Sequence, residues 1–413
     1  MRARLPTTLA LLAALAGPAA AGADDDAAPP AAPGIEEMYR QALVSIIEGR
    51  KNDASVTLRR LIELEPLHAG AWLDLALIQC GLGHAAEAED MFAIIERRFA
   101  PPPAIARLIA EARAGGCDHW QGRGTFGLSA GRGYDQNVNQ GSSTLNHVIG
   151  PPGAGVELPL LPEFLRRADH YSLLAADYTR DLSANGTMGY AQLQWHRNDR
   201  LHEYDSGTLF VGFDTPWRWR AWTMRAGASV GLITLGGRLY QRQAQVQGQF
   251  GPPLPLPAGM RADVIGAVSR AEYLTLTNFN STTADLRLRL SHQNGGHNAS
   301  VSVGVQTDRA GAERPGGDRR GASVQLQWRQ RLGAATAELA YSAQDWRSAR
   351  AYSDLIEQVR DQRTRIARGT LTYPLGGGHS VLLELRDVRN RENISLFQYA
   401  SRQVQLSWQW QGP

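Results

Sequence analysis

The chain has 413 residues, 43% of them hydrophobic and 20% charged, with a formal net charge of +3. At about 100–200 residues per domain, this length calls for at least two domains. So small a positive charge, scattered rather than striped, argues against a nucleic-acid partner.

The N-terminus, MRARLPTTLALLAALAGPAAAGADDD, sets Arg2 and Arg4 ahead of an apolar run from Leu9 to Leu15, followed by small residues. That layout predicts a cleavable secretory signal over 1–23, cut after Ala21 or Ala23. The run is far shorter than the ~20 apolar residues a membrane span requires, and no cysteine follows it to carry a lipid. No later window reaches ~18 uninterrupted apolar residues, so no membrane helix is expected. A Gly/Ala/Pro/Asp-rich linker over 24–34 leads into the folded part.

Over 35–116 the apolar period is helical. Comparing the chain with itself at a spacing of about 34 residues aligns Ala42 with Ala76, Gly49 with Gly83, Ala54 with Ala88, Leu58 with Phe92 and Leu61 with Ile95. Pro66 closes the first unit and Pro101 the second, one place late. The alanines let paired helices approach, the glycines make the turns, and the large residues fill the space between. A further segment, Ala104 to Ala114, caps the stack, because one repeat cannot bury its own face. The segment resembles the tetratricopeptide family. Cys80 lies in its second unit and Cys117 just beyond it; an exported chain could pair them, and sequence alone leaves that open.

From Trp120 the period switches to two. WTMRAGASVGLI alternates Trp222, Met224, Ala226, Ala228, Val230 and Leu232 with polar or small residues, and YQRQAQVQGQF puts five glutamines on one face. Alternation over segments of ~9–11 residues is what a membrane β-barrel requires. A soluble sandwich also alternates, but three features oppose it here. The apolar faces are thin in core-filling residues. Tryptophans (Trp195, Trp217, Trp219, Trp222, Trp328, Trp408, Trp410) gather at segment ends. The polar faces carry Arg, Gln and Glu, which a dry core would exclude. The expectation is an all-α repeat domain followed by an antiparallel transmembrane barrel of about 14 strands over 118–413. The strands should centre near Leu128, Leu174, Leu193, Leu209, Ala228, Gln245, Val264, Leu288, Val303, Leu326, Leu339, Ala367, Leu383 and Leu406. With the helices in the periplasm, the longer loops should face outward: the segment after Tyr134, then DRAGAERPGGDRRG and WRSARAYSDLIEQVRDQRT. DLSANGT, DTPWRW, HQNGGHN, RQRLGAA and YPLGGGHS are read as periplasmic turns, with GPPLPLPAG a longer exception.

GYDQNVNQG, Gly133 to Gly141, spaces Asp135, Asn137 and Asn139 like cation ligands. Measured against the calcium loop, Gln140 stands where glycine makes the sharp turn, and Asn146 where a bidentate glutamate closes the site. No metal is expected. The side chains read instead as partners for loop backbone. GRGTFG and GLSAG match a dinucleotide fingerprint and a nucleophile elbow, but both mechanisms require a strand-to-helix turn, and no helix follows. The lumenal carboxylates Asp263, Asp285, Glu338 and Glu384 have arginines nearby in Arg261, Arg287, Arg289 and Arg386. No nucleophile comes with a base, so neither a catalytic residue nor a cofactor is expected.

WQGRGTFGLSAGRGYDQNVNQ, Trp120 to Gln140, resembles the opening barrel strand of the surface lipoprotein assembly modifiers, the Slam family, with Gly133, Asp135, Asn137, Val138 and Asn139 as its most distinctive part. The resemblance runs from about residue 35 to the end. It implies a periplasmic repeat domain, a fourteen-stranded outer-membrane barrel, and delivery of client proteins, chiefly surface lipoproteins, to the cell exterior. The barrel would sit in outer-membrane lipid. Its last strand, ending in Trp408 and Trp410, is similar to the aromatic signal read by barrel-assembly machinery, although Gln-Gly-Pro follows. A client or its chaperone would dock on Tyr39, Leu43, Ile46, Leu73, Leu77 and Cys80, whose apolar character suits an unfolded segment; packing on a neighbouring helix is the alternative. A polysaccharide exporter also joins such repeats to a barrel and is the rival reading. A sugar conduit should carry aromatic rungs, and these inward faces show few.

Overall fold

The computed structural model describes residues 34–47, 49–117, 122–149, 155–219, 221–311 and 313–412. The expected signal segment, most of the linker and Trp120 lie outside them.

Five helices open the described chain: α1 (Ile35–Ile47), α2 (Lys51–Leu64), α3 (Ala69–Gly81), α4 (Ala85–Phe99) and α5 (Pro103–Gly115). The positions aligned at the 34-residue spacing carry the packing. Ala42, Ala76, Ala54, Ala88, Leu58, Leu61 and Phe92 are fully buried. Burial of each large side chain contributes about 1.5–3 kcal/mol. Gly49 and Gly83 turn the two hairpins with φ of +75° and +87°, a region that favours residues without a Cβ. His68 caps α3, its ring nitrogen accepting from the Ala71 N–H at 3.0 Å.

The β elements begin with β1 (Gly124–Asp135), the short hairpin β2 (Asn146–Ile149) and β3 (Val156–Pro159), then β4 (Asp169–Asp181), β5 (Met188–Asn198), β6 (Ser206–Trp219), β7 (Trp222–Leu235) and β8 (Arg238–Gly251). They continue with β9 (Met260–Tyr273), β10 (Ser281–Asn294), β11 (His297–Ala310), β12 (Arg319–Leu332), β13 (Ala335–Ala351), β14 (Val359–Gly376), β15 (His379–Glu392) and β16 (Tyr399–Gly412). All but β2 and β3 form one closed barrel of neighbouring antiparallel strands, sealed by β1 against β16. Each of the fourteen expected centres falls in a different barrel strand.

The register fixes the faces. Leu209 stands opposite Leu193 and Leu232, and Leu288 opposite Val264 and Val303, so the apolar rows run together around the outside. Their members are exposed: Leu286 at 55% and Val305 at 62%. In a chain that hides its polar rows instead, this is the pattern of a barrel built for lipid. A sandwich would bury these same rows against a second sheet.

The connections over 136–168, 199–205, 274–280, 311–318, 352–358 and 393–398 lie at one end. At the other end, where the chain enters from α5, the turns are 182–187, 220–221, 252–259, 295–296, 333–334 and 377–378. Three readings need correction. DTPWRW is no turn: β6 runs to Trp219 and β7 starts at Trp222. Pro216 is tolerated because β5 has stopped pairing at Asp214, so no ladder bond is lost on that side. Much of WRSARAYSDLIEQVRDQRT is strand, since β13 and β14 extend to Ala351 and from Val359. On the loop side, Gly236–Gly237 is a two-residue turn, both glycines at positive φ.

Candidate functional site

The stretch singled out in the sequence is a hydrogen-bonded staple at the loop end of the closing seam. Asp135, 7% exposed, accepts from the Asn137 N–H at 2.8 Å, from Gln403 Nε2 at 2.7 Å and from Ser401 Oγ. The Asn137 amide is buried and fully engaged. Its Nδ2 donates to the carbonyls of Gly141 at 2.9 Å and Ala400 at 3.0 Å, and its Oδ1 accepts from the Gly141 N–H at 2.8 Å. Asn139 does the same one turn on, donating to the Leu165 carbonyl at 2.8 Å and accepting from the Arg167 N–H at 2.9 Å. The Val138 N–H donates to the Arg167 carbonyl at 2.8 Å. Alternate oxygens are thus needed because alternate side chains must satisfy backbone on both sides of the loop, on the 163–167 segment and on β16.

Gly133 serves the seam differently. A Cβ there would collide with the Tyr171 ring, which lies across it from β4 and donates to Gln405 Oε1 on β16 at 3.0 Å. One phenol therefore spans β1 and joins its two neighbours. The other glycines on this lumenal row work alike: a Cβ on Gly127 would meet the Asp177 carboxylate, and one on Gly131 the Ser407 side chain. They are the two glycines of GLSAG, and Gly127 also closes GRGTFG, whose Gly124 lies instead on the outward row against Tyr178. Both strings lie in or beside one β-strand rather than at the turn into a helix that either mechanism requires.

The lumenal wall is polar and internally paired. Asp263, 1% exposed, takes Arg261 at 2.9 Å and Arg289 at 3.2 Å, while Arg287 reaches Asp285 at 2.6 Å and Arg329 reaches Glu338 at 3.2 Å. Of the four acidic groups anticipated in the lumen, three are held by arginines. At the mouth, buried Asp308 accepts from Arg314 at 2.9 Å and from Arg319 at 2.5 Å, drawing the 313–318 segment onto β11. Loop 136–168 meets the 393–398 loop through His147 Nδ1 and Ser395 Oγ at 2.8 Å. Sequence reading missed this loop-to-loop network, because its partners lie some 250 residues apart.

In the helical domain, Tyr39, Ile46, Leu73, Leu77 and Cys80 are partly buried and pack on the core, and Leu43 is half-buried beside them. Tyr39 donates to Asp74 Oδ2 at 2.8 Å and its ring sits 4.5 Å from that of His68. Burial first, then this bond, pushes the Tyr39 phenol up to about 12. Cys80 is the correction in this set: it forms a disulfide with Cys117, so its sulfur is committed to tying α3 to the end of α5. The α1–α2 turn meets the barrel directly. A Cβ on Gly186, in the 182–187 turn, would lie 2.9 Å from the Gly49 carbonyl oxygen. This contact seats the helices at the short-turn end of the barrel.

A closed fourteen-stranded barrel with an apolar exterior and an ion-paired polar interior has the fold of an outer-membrane β-barrel protein. No protein-family model matches the chain, and no curated protein does. Among solved structures, an anion-selective porin from Comamonas acidovorans aligns with 71% of this chain and 100% of its own at 10% identity, with a TM-score of 0.37. The DcaP channel of Acinetobacter baumannii aligns with 71% and 97% at 8% identity and a TM-score of 0.39. OmpT of Vibrio cholerae aligns with 70% and 99% at 6% identity and a TM-score of 0.39.

Proposed function

We propose that this protein is an outer-membrane translocator that helps deliver client proteins, surface lipoproteins or secreted proteins, to the cell exterior. The observation that carries the reading is the seating of a helical domain against the short-turn end of a polar barrel, through Gly49 and Gly186. A passive channel has no use for such a domain. A factor that must capture a polypeptide before handing it to a lumen does. The helical pairs act as tetratricopeptide-like repeats in the periplasm, and Tyr39, Leu43, Ile46, Leu73 and Leu77 offer the client or its chaperone a partly apolar face. Barrel-assembly machinery inserts the chain by β16, which carries Trp408 and Trp410 in its final turn-side stretch.

The test is co-expression with a candidate client encoded nearby, scored by the client's sensitivity to protease added outside intact cells. Exposure should rise with this chain and fall when Leu73→Asp and Leu77→Asp are introduced together. No gain in client exposure rejects the proposal. Export of a surface polysaccharide in place of protein would move the assignment to the rival class.

A further inference from the structure

The outward face of the barrel is strongly asymmetric along its axis. At the short-turn end it presents aromatic rings, among them Trp217, Trp222, Trp328 and Trp408. At the loop end it presents arginine. The densest part spans β13 to β16, where Arg347, Arg363, Arg365, Arg389, Arg391 and Arg402 all continue the apolar outward rows and are exposed.

Two features of this patch are unfavourable for the protein alone. Arg365 stands directly opposite Arg389, and Arg363 directly opposite Arg391, on adjacent strands. Like charges in opposed positions repel. The same face carries three carboxylates, of which Asp387 lies 3.0 Å from Arg389 and 3.7 Å from Arg402, and Asp361 lies 3.9 Å from Arg363. Asp345, opposite Arg363, is the third. Six guanidiniums therefore face three carboxylates, and Arg347, Arg365 and Arg391 make no ion pair among the described residues. A lipid-facing arginine is costly near the bilayer midplane and nearly free at the interface. This patch therefore belongs at headgroup level, where it needs anions from outside the chain.

A second feature says what form the anion takes. A recess of about 1150 Å³ crosses the same face, lined in part by Leu326, Tyr341, Ala367, Leu385 and Val404, and toward the loop end it reaches Asp387, Arg402 and Gln136. An apolar furrow that runs out beneath a cationic cluster matches a molecule with acyl chains below and phosphate above. We infer that the β13–β16 face is a binding site for a phosphorylated glycolipid of the outer leaflet. Its phosphates take bidentate bonds from the opposed arginine pairs, and its acyl chains lie along the recess.

The experiment uses the full chain in detergent, with bis-phosphorylated lipid A as probe and binding read by native mass spectrometry. The variant Arg363→Gln/Arg365→Gln/Arg389→Gln/Arg391→Gln should bind at least about tenfold more weakly, given roughly 1 kcal/mol per basic residue at a charged lipid surface. Arg329→Gln, on β12 but facing the lumen beside Glu338 and outside the recess, should bind as the unaltered chain does. Lipid A stripped of phosphate should bind weakly to every form. Inorganic phosphate at equal concentration should not compete, which separates a lipid site from a simple anion site. Folding is checked by the gel shift of the unheated barrel; if the quadruple variant fails that check, Arg363→Gln/Arg391→Gln is measured in its place. Equal lipid affinity in the outward variant, an equal loss in Arg329→Gln, or full competition by inorganic phosphate overturns the inference.

Discussion

Asn137→Ala is the sharpest probe of the staple at the seam. The substitution removes one donor that serves two carbonyls, Gly141 and Ala400, and one acceptor for the Gly141 N–H. Asn139 Oδ1 remains 3.3 Å from that N–H and offers it partial replacement. At about 1 kcal/mol net for each of three bonds, with the site only 1% exposed, the loss is about 3 kcal/mol. It should be local, because the strand ladders of β1 with β4 and with β16 are untouched. Hydrogen exchange reads such local opening. The amides of Val138, Ser142 and Ser143, which bond to Arg167, Phe164 and Gln398, should exchange about a hundredfold faster, while mid-strand amides hold their rates. Asn137→Asp sharpens the test. A carboxylate facing two carbonyls repels them, whereas the protonated acid can donate, so protection should return as pH falls. Exchange within threefold of the unaltered protein in Asn137→Ala would falsify the staple.

Three further outcomes follow from particular contacts. Gly133→Ala should destabilise the barrel by about 1–3 kcal/mol through overpacking against Tyr171, and Tyr171→Ala should restore much of that loss, read as the temperature at which the unheated barrel band disappears from a gel. Replacing both Cys80 and Cys117 by serine opens a loop of 37 residues and should cost the helical domain about 4 kcal/mol on a chain-entropy basis, lowering its unfolding transition by circular dichroism while the barrel transition stays in place. Because the Tyr39 phenol is raised to about 12, its contribution is complete below about pH 10 and is lost between about pH 10 and 12. Tyr39→Phe should abolish that alkaline share and cost about 1 kcal/mol at neutral pH by taking the donor from half-buried Asp74.

Periodicity made the architecture legible from sequence. A strand exposes alternate residues to alternate faces whatever it pairs with, so Leu286, Leu288 and Leu290 announce a lipid face before any partner is known. The helical hairpins were equally plain, since Ala42 with Ala76 and Gly49 with Gly83 repeat because close approach and a left-handed turn each accept few residue types. Turn positions were less secure. Pro216 reads as a breaker in any local window, and only the early end of β5 pairing makes it harmless.

The sequence by itself determined which rows of the barrel meet lipid, which meet water, and that helices precede them, because those properties depend on neighbours within a few residues. Only the tertiary structure decided what Asp135, Asn137 and Asn139 hold, that Cys80 reaches Cys117, and that Tyr171 crosses Gly133 to Gln405. Closing the barrel sets β1 beside β16, and contacts made by that closure join residues more than 230 positions apart. No local pattern records them: a side chain's partner there is fixed by strand count and register around the whole ring.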